Sequence, residues 1–305
     1  MFIVEKRDGR VKEKKCAVGS NQRTFPGYVK SDWDSPAVTT DGVIITLTIE
    51  AHEGRDVVVA YLPNAFLNTN NSEKTLVLLK GKLAELMIQI DPQIYQQYIT
   101  TSSKGEPMLH VRLSKALYVF LKSALLFYRK LCTELEDFGF AVNPYDPCVE
   151  NKMVNGSQMT VTWHVDDLKI SHKNSLEITK FLHHFGQIYG ERMTVHHGNV
   201  HDYLGMDLDF STSNTLKIGM IKYIKKILED FLEEIKYAVA MPAAEHLFDV
   251  SEDNQDRFLP EEQARAFHQS TSQLLFLCAR DWTFACQCNF YLQDVRHPMK
   301  TTGVS

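Results

Sequence analysis

The sequence predicts an α+β fold in which an antiparallel sheet packs on helices, and three observations carry that reading. Over 159–172 apolar and polar residues alternate on both sides of Asp166-Asp167, the pattern of strand, tight turn, strand. Just upstream, the β-like run 149–154 meets this hairpin through Asn155-Gly156, a strong two-residue hairpin signal. Before both, Leu117, Leu121, Ala124, Tyr128, Leu131, Leu135 and Phe138 recur at spacings of three and four, one apolar helical stripe. Three successive antiparallel strands against a long helix follow.

Taken in order, 2–6 and 11–17 read as short strands joined through Asp8-Gly9. The stretch 19–36 lacks periodicity and reads as a loose connection. Residues 39–51 fit either a β-branched strand or a helix capped by Thr40 or Asp41. The run 54–62 is continuously apolar after a turn, as in a strand buried on both sides, and Pro63-Asn64 ends it. A short turn at 65–67, a strand at 75–79 and a helix at 82–90 come next, then a second helix at 92–98 with proline in its first turn. The long helix is expected over 114–138, with Ser114 at its start and Gly139 at its end. Asn143-Pro144-Tyr145-Asp146-Pro147 is a rigid turn into the hairpins. Beyond them the pattern gives a helix at 175–189 with Ile178, Phe181, Leu182, Phe185 and Ile188 inward. Strands follow at Val195 and 203–210, the latter pairing with 215–218, and then a helix at 221–235 with Ile224, Ile227, Leu228, Phe231 and Ile235 in its stripe. An acidic linker at 245–259 leads to a helical segment at 260–293.

With 44% apolar residues in 305, the chain can bury a sizeable core as one large or two modest domains. It has no apolar run of about eighteen residues, and Met1-Phe2-Ile3-Val4-Glu5-Lys6-Arg7 lacks a signal peptide's apolar centre, so an intracellular location without membrane attachment is expected. Six scattered cysteines suit reduced thiols better than a disulfide framework, and the close pair Cys286 and Cys288 reads as chance. A net charge of -5 argues mildly against a nucleic-acid partner, although Lys74, Lys80, Lys82, Lys104, Lys115 and Lys122 cluster in one half of the chain.

The adjacent acids are the principal chemical feature. At a hairpin tip the strict alternation of a strand relaxes, so both carboxylates can share one rim. Hard cations such as Mg²⁺ take carboxylate oxygens and complete their shell with water and phosphate. Aspartate is also an ordinary turn residue that bonds its own backbone, and the pair alone does not separate the two readings.

His164-Val165-Asp166-Asp167 resembles the Y/H-V-D-D signature of reverse transcriptases, and several ordered segments resemble the reverse transcriptase domain of copia-type retrotransposons, divergent and truncated. These are Lys12-Glu13-Lys14-Lys15-Cys16-Ala17-Val18-Gly19 with Gln22, Ser35-Pro36-Ala37-Val38, Arg55-Asp56-Val57 through Asn64-Ala65-Phe66-Leu67, and Lys115-Ala116-Leu117-Tyr118 through Phe127-Tyr128-Arg129-Lys130-Leu131. Asn143 through Val149 and Tyr203-Leu204-Gly205-Met206 complete the series, over roughly 12–250. The resemblance implies a polymerase palm with a ferredoxin-like core, partial fingers and a helical C-terminal thumb or connection segment: 1–34 partial fingers, 35–240 fingers and palm, 241–305 linker and helical segment. It favours the helix at 39–51. It implies an RNA-directed DNA polymerase using Mg²⁺ or Mn²⁺, weakly bound here, with RNA/DNA template-primer and dNTP as partners. Other parts of a Gag-Pol polyprotein, and a cytoplasmic particle or the nucleus, are also implied.

Residue by residue, Asp166 and Asp167 match two catalytic metal ligands. Ala65, Phe66, Tyr118, Val119 and Lys122 match positions contacting nucleotide or template, and Lys169 matches one near the primer end. Two departures matter. In relatives whose block reads D-V-P-x-A-F the third acid stands two residues before the proline, where this chain has Tyr61; a neutral phenol is a poor ligand for Mg²⁺. Asp56 lies five residues earlier and would need a register shift. Val119 replaces the glycine after Ala-Leu-Tyr, where a branched side chain would crowd the base pair. The expectation is an impaired enzyme, or else a non-catalytic nucleic-acid-binding relic.

A third reading takes Asp166 and Asp167 with His164 and His172 as a hydrolase metal site. His183-His184 and the loop group His196, His197 and His201 read as solvated clusters before a zinc site, and Arg55 as either a phosphate contact or a partner of Glu53.

Overall fold

The structure, a computed structural model, describes residues 2–5, 11–14, 28–72, 75–118, 120–190, 193–231 and 260–280. The chain divides into two compact units, Met1–His201 with Ser213–Thr215, and Asp202–Thr212 with Leu216–Ser305.

In the first unit β1 (Phe2–Glu5) and β2 (Val11–Lys14) pair antiparallel, as the flanks of Asp8-Gly9 predict; the turn lies outside the described residues. Much of the expected loose connection also lies outside them, and Lys30–Asp32 forms a 3-10 turn. The ambiguous run becomes helix α1 (Thr40–Glu53). Its cap is Thr39, not Thr40 or Asp41, because Thr39 Oγ1 accepts from Gly42 N at 2.9 Å. Asp146 grips the same turn from far along the chain, accepting from Thr39 N at 2.9 Å and Thr39 Oγ1 at 2.8 Å. A Cβ on Gly42 would collide with that carboxylate. The proline-flanked turn thus ties α1 to the sheet.

Strand β3 (Asp56–Tyr61) is buried at four consecutive positions, 57–60, because the sheet is covered on both faces. Next come β4 (Leu76–Lys80), α2 (Lys82–Ile90) and α3 (Pro92–Tyr95), the last continued by a 3-10 turn over Gln96–Tyr98. Two strands escaped the sequence reading, β5 (Ile99–Thr101) and β6 (Pro107–Arg112), since three and six residues around a Gly105 turn offer little alternation to read. They join β4 in a sheet ordered β4-β6-β5.

The long helix is shorter than expected. It begins as α4 at Ser123 (Ser123–Asp137), with residues 114–118 and 120–122 outside it. Hydrogen bonds made elsewhere explain this: Asn71 N donates to the Ser114 carbonyl at 2.9 Å, and Ala116 N to the Thr69 carbonyl at 2.9 Å. Ser123 Oγ then donates to the Leu117 carbonyl at 2.7 Å, so the segment is held by the turn after β3 instead of by its own next turn.

Then follow β7 (Ala141–Val142), β8 (Val149–Val154), β9 (Ser157–His164), β10 (Asp167–His172), α5 (Ser175–Tyr189) and β11 (Thr194–His196). The central sheet runs β11-β3-β10-β9-β8-β7 with all five pairings antiparallel. Leu168 sits between Ala60 and Trp163, and Ile170 between Val58 and Val161. These residues share one core cluster with Leu131 and Leu135 of α4 and Phe181 and Phe185 of α5. The inward stripe of α5 ends on Tyr189; Ile188, expected inward, is exposed.

The expected strand 203–210 is broken by a turn at Leu204-Gly205, where φ is +51° and +78°. β12 (Val200–Tyr203) therefore ends where β13 (Met206–Asp209) was expected to have begun, and β13 pairs with β14 (Lys217–Gly219). Helices α6 (Ile221–Asp230) and α7 (Glu261–Cys278) meet through Tyr223 and Phe276, ring centroids 4.8 Å apart. α6 stops at Asp230, and of its predicted stripe Ile227 is buried while Leu228 and Phe231 are exposed. Ile235, the acidic linker and the segment beyond 280 lie outside the described residues.

Candidate active site

The β9–β10 hairpin closes through two residues, Val165 and Asp166, with His164 paired to Asp167. Asp166 is thus in the turn while Asp167 opens the return strand. Val165 has φ +56°, in the left-handed region that favours glycine or asparagine and opposes a β-branched side chain. The neighbouring strand supplies the other wall. Asp167 lies opposite Tyr61, and Leu62 N donates to the Asp166 carbonyl at 2.8 Å.

This register places Tyr61 beside both carboxylates. Burial first, then the Asp166 charge and the neighbouring Tyr118, push the Tyr61 phenol far above its ordinary range, so it remains neutral. Asp56, the other candidate acid, lies opposite His172 at the far end of the strand. The alternative register is therefore not adopted.

Around this rim Phe66 packs edge-on against Tyr118 at 4.9 Å and against Phe127 at 6.2 Å. Lys122 holds its ammonium 4.4 Å from the centre of the Trp33 ring. Ala65 departs from expectation: it is wholly buried in the core cluster, so its side chain cannot contact a nucleotide. Val119 lies outside the described residues.

Lys169 requires a second correction. It points to the sheet face under α1, where its ammonium is wholly buried against Glu50 and 3.3 Å from Thr46 Oγ1. A lysine with no exposed surface cannot meet a primer end. The partner was legible in outline, because Val43, Thr46, Leu47 and Glu50 fall on one inward helical face. Arg55 occupies the same polar layer, bonded to Glu53 Oε2 at 3.1 Å and Thr160 Oγ1 at 3.0 Å, which favours the ion-pair reading over a phosphate contact.

The hydrolase reading loses its fourth residue. His172 is buried at the opposite end of β10, its ring nitrogens 3.2 Å from the Asn174 carbonyl and 3.3 Å from that of Val154. His201, expected in a solvated loop, is buried, and His184 stacks on Phe138 at 4.4 Å.

As a donor set the rim offers two carboxylates and a neutral phenol. Among the described residues no group of three His, Cys, Asp or Glu side chains is arranged to hold a metal ion. A two-metal clamp needs converging anionic ligands, and this rim does not fit it.

Residues 3–245 match the family described as reverse transcriptase (RNA-dependent DNA polymerase). Among solved structures the chain is similar to a Candida tropicalis telomerase in complex with a fragment of telomeric RNA, at 11% identity and TM-score 0.38, covering 92% of this chain and 46% of that one. It is also similar to a foamy viral protease-reverse transcriptase in complex with double-stranded DNA, at 12% identity and TM-score 0.41, covering 96% and 38%. The chain spans less than half the length of either. No curated protein matches it.

Proposed function

Since the chain belongs to the reverse transcriptase (RNA-dependent DNA polymerase) family, we propose that it is a copia-type polymerase palm whose template-directed nucleotidyl transfer is impaired at Tyr61. The single observation that supports this is the strand register that sets Tyr61 opposite Asp167 at the hairpin tip. In the two-metal mechanism implied by the copia resemblance, the third position supplies negative charge to the cation pair. Here it supplies a neutral phenol beside the two remaining acids.

Asp166 and Asp167 are the two carboxylates the rim keeps, short of the converging anionic set that a Mg²⁺ or Mn²⁺ pair would need. Tyr118 stands beside Tyr61 with Phe66 packed on it, and these two together with Lys122 are proposed to face nucleotide or template. Losing one preorganised charged group costs on the order of 10²–10³ in turnover. Residues 1–34 would then be partial fingers, 35–240 fingers and palm, and 241–305 a linker and C-terminal segment of a longer Gag-Pol polyprotein. Among the described residues no helix is long and apolar enough to cross a membrane, in keeping with a cytoplasmic particle or the nucleus.

A second reading keeps the nucleic acid and drops the chemistry. The closed core and intact hairpin pairing favour it, because neither depends on an active metal site. Primer extension on RNA and DNA templates with Mg²⁺ or Mn²⁺ is expected to give no detectable product, while an RNA/DNA hybrid binds with affinity that falls steeply with salt. Extension at the rate of an intact relative would overturn the impaired reading, and salt-independent or absent binding would overturn both.

A further inference from the structure

The outer side of α2 is apolar where water should meet a polar face. Leu83, Leu86 and Ile90 recur at intervals of three and four along the helix and are 54%, 41% and 74% exposed. The helix is anchored inward by Ala84, its single buried residue. An amphipathic helix normally turns its apolar stripe to the core. A contiguous apolar patch of this extent marks an interaction surface.

We propose that this stripe is a self-association surface, on which α2 of a second copy packs antiparallel across a two-fold axis. The charges at its ends argue for that occupant. Lys82 opens the helix and Asp91 follows its last residue, with the stripe between them. An axis near Leu86-Met87 sets Leu83 against Ile90 of the second copy and Lys82 against its Asp91, twice by symmetry. A parallel pair would oppose like charges. The antiparallel pair also brings each Lys82 to the negative C-terminal end of the opposite helix. Lys82 is held at present by Glu85 at 3.4 Å, an exposed pair that costs little to rearrange. Burying these three side chains removes roughly 300 Å² per copy, so about 600 Å² in total, the size of a weak and transient contact. A reversible dimer is expected.

Sedimentation of the full chain between about 1 and 100 µM tests this, since a dimer of this size dissociates on dilution. The mass is expected to rise towards twice the monomer, and Ile90→Lys and Leu83→Gln are each expected to move that transition at least about tenfold higher in concentration. Both positions are exposed in the monomer, so unchanged thermal midpoints are expected at concentrations where wild type and variants are monomeric. Leu76→Lys, on the open face of the adjoining sheet and 63% exposed, should leave association unchanged. Lys82→Glu should weaken it. A wild-type chain that stays monomeric throughout overturns the proposal and gives the stripe to another part of a longer polypeptide. Dissociation by Leu76→Lys as strong as by Ile90→Lys, or tighter association of Lys82→Glu, overturns it too.

Discussion

Tyr61 lies directly opposite Asp167 across β3 and β10, while the next residue, Leu62, donates its N–H to the Asp166 carbonyl at 2.8 Å. Backbone bonds therefore hold the hairpin tip to β3. The strand that anchors the tip thus sets a neutral phenol, not a carboxylate, beside the two acids.

Exchanging that phenol for a carboxylate should reverse the deficit. Tyr61→Asp is expected to bind Mn²⁺ more tightly than wild type and to produce measurable primer extension, whereas Tyr61→Phe removes the hydroxyl without adding charge and should give neither. Isothermal titration with Mn²⁺ and a gel-based extension assay check the pair. Equal cation binding by all three proteins would exclude Tyr61 as the deficient position.

Val165 holds a left-handed backbone that costs a β-branched residue about 1–2 kcal/mol. Val165→Asn is expected to recover on the order of 1 kcal/mol in urea unfolding, because asparagine tolerates φ +56°. No gain would mean that the valine side chain makes compensating contacts.

Lys169 and Glu50 are wholly buried together, and breaking such a pair strands a charge. Lys169→Met is expected to cost about 3–5 kcal/mol, and the double change Lys169→Met with Glu50→Leu to restore most of it. Chemical denaturation of the singles and the double measures the coupling; additive losses would refute it.

Glu150 is wholly buried on β8, beside the Cys132 thiol of α4 and with Glu136 nearby. Burial chiefly, then the Glu136 charge, pushes its carboxyl up to about 7. The Cys132 and Cys148 thiols are pushed up as well, to about 11 and about 12, again mainly by burial. A raised folded-state carboxyl binds its proton more tightly than the unfolded chain does. Its stabilising effect is complete below the ordinary carboxylate range, declines as pH rises to about 7, and is gone above that. Glu150→Gln should therefore stabilise by roughly 3 kcal/mol at pH 8 and by almost nothing at pH 4, read from urea unfolding at the two pH values. A pH-independent difference would contradict this.

Local signals located most of the palm. The helix 175–189 carries a buried apolar stripe and an Asn174 cap, and the helix 82–90 an apolar spacing of three and four, so neighbours in sequence define them. Segment 114–122 misled because its apolar spacing is helical while its backbone bonds are claimed by Thr69, Asn71 and Ser123. Likewise Lys169 follows the acids in sequence, yet alternation along β10 sends its side chain to the face beneath α1.

The sequence by itself determined that two acids stand at a hairpin tip, that a tyrosine ends the apolar strand before Pro63-Asn64, and that 149–172 and 175–189 are strands and helix, since these follow from periodicity and turn chemistry within a few residues. Only the tertiary structure decided that Tyr61, and not Asp56, lies opposite Asp167, and that Lys169 belongs to Glu50. Strand register and the partner of a buried charge are set by residues more than a hundred positions apart, through pairing and burial that local pattern does not encode.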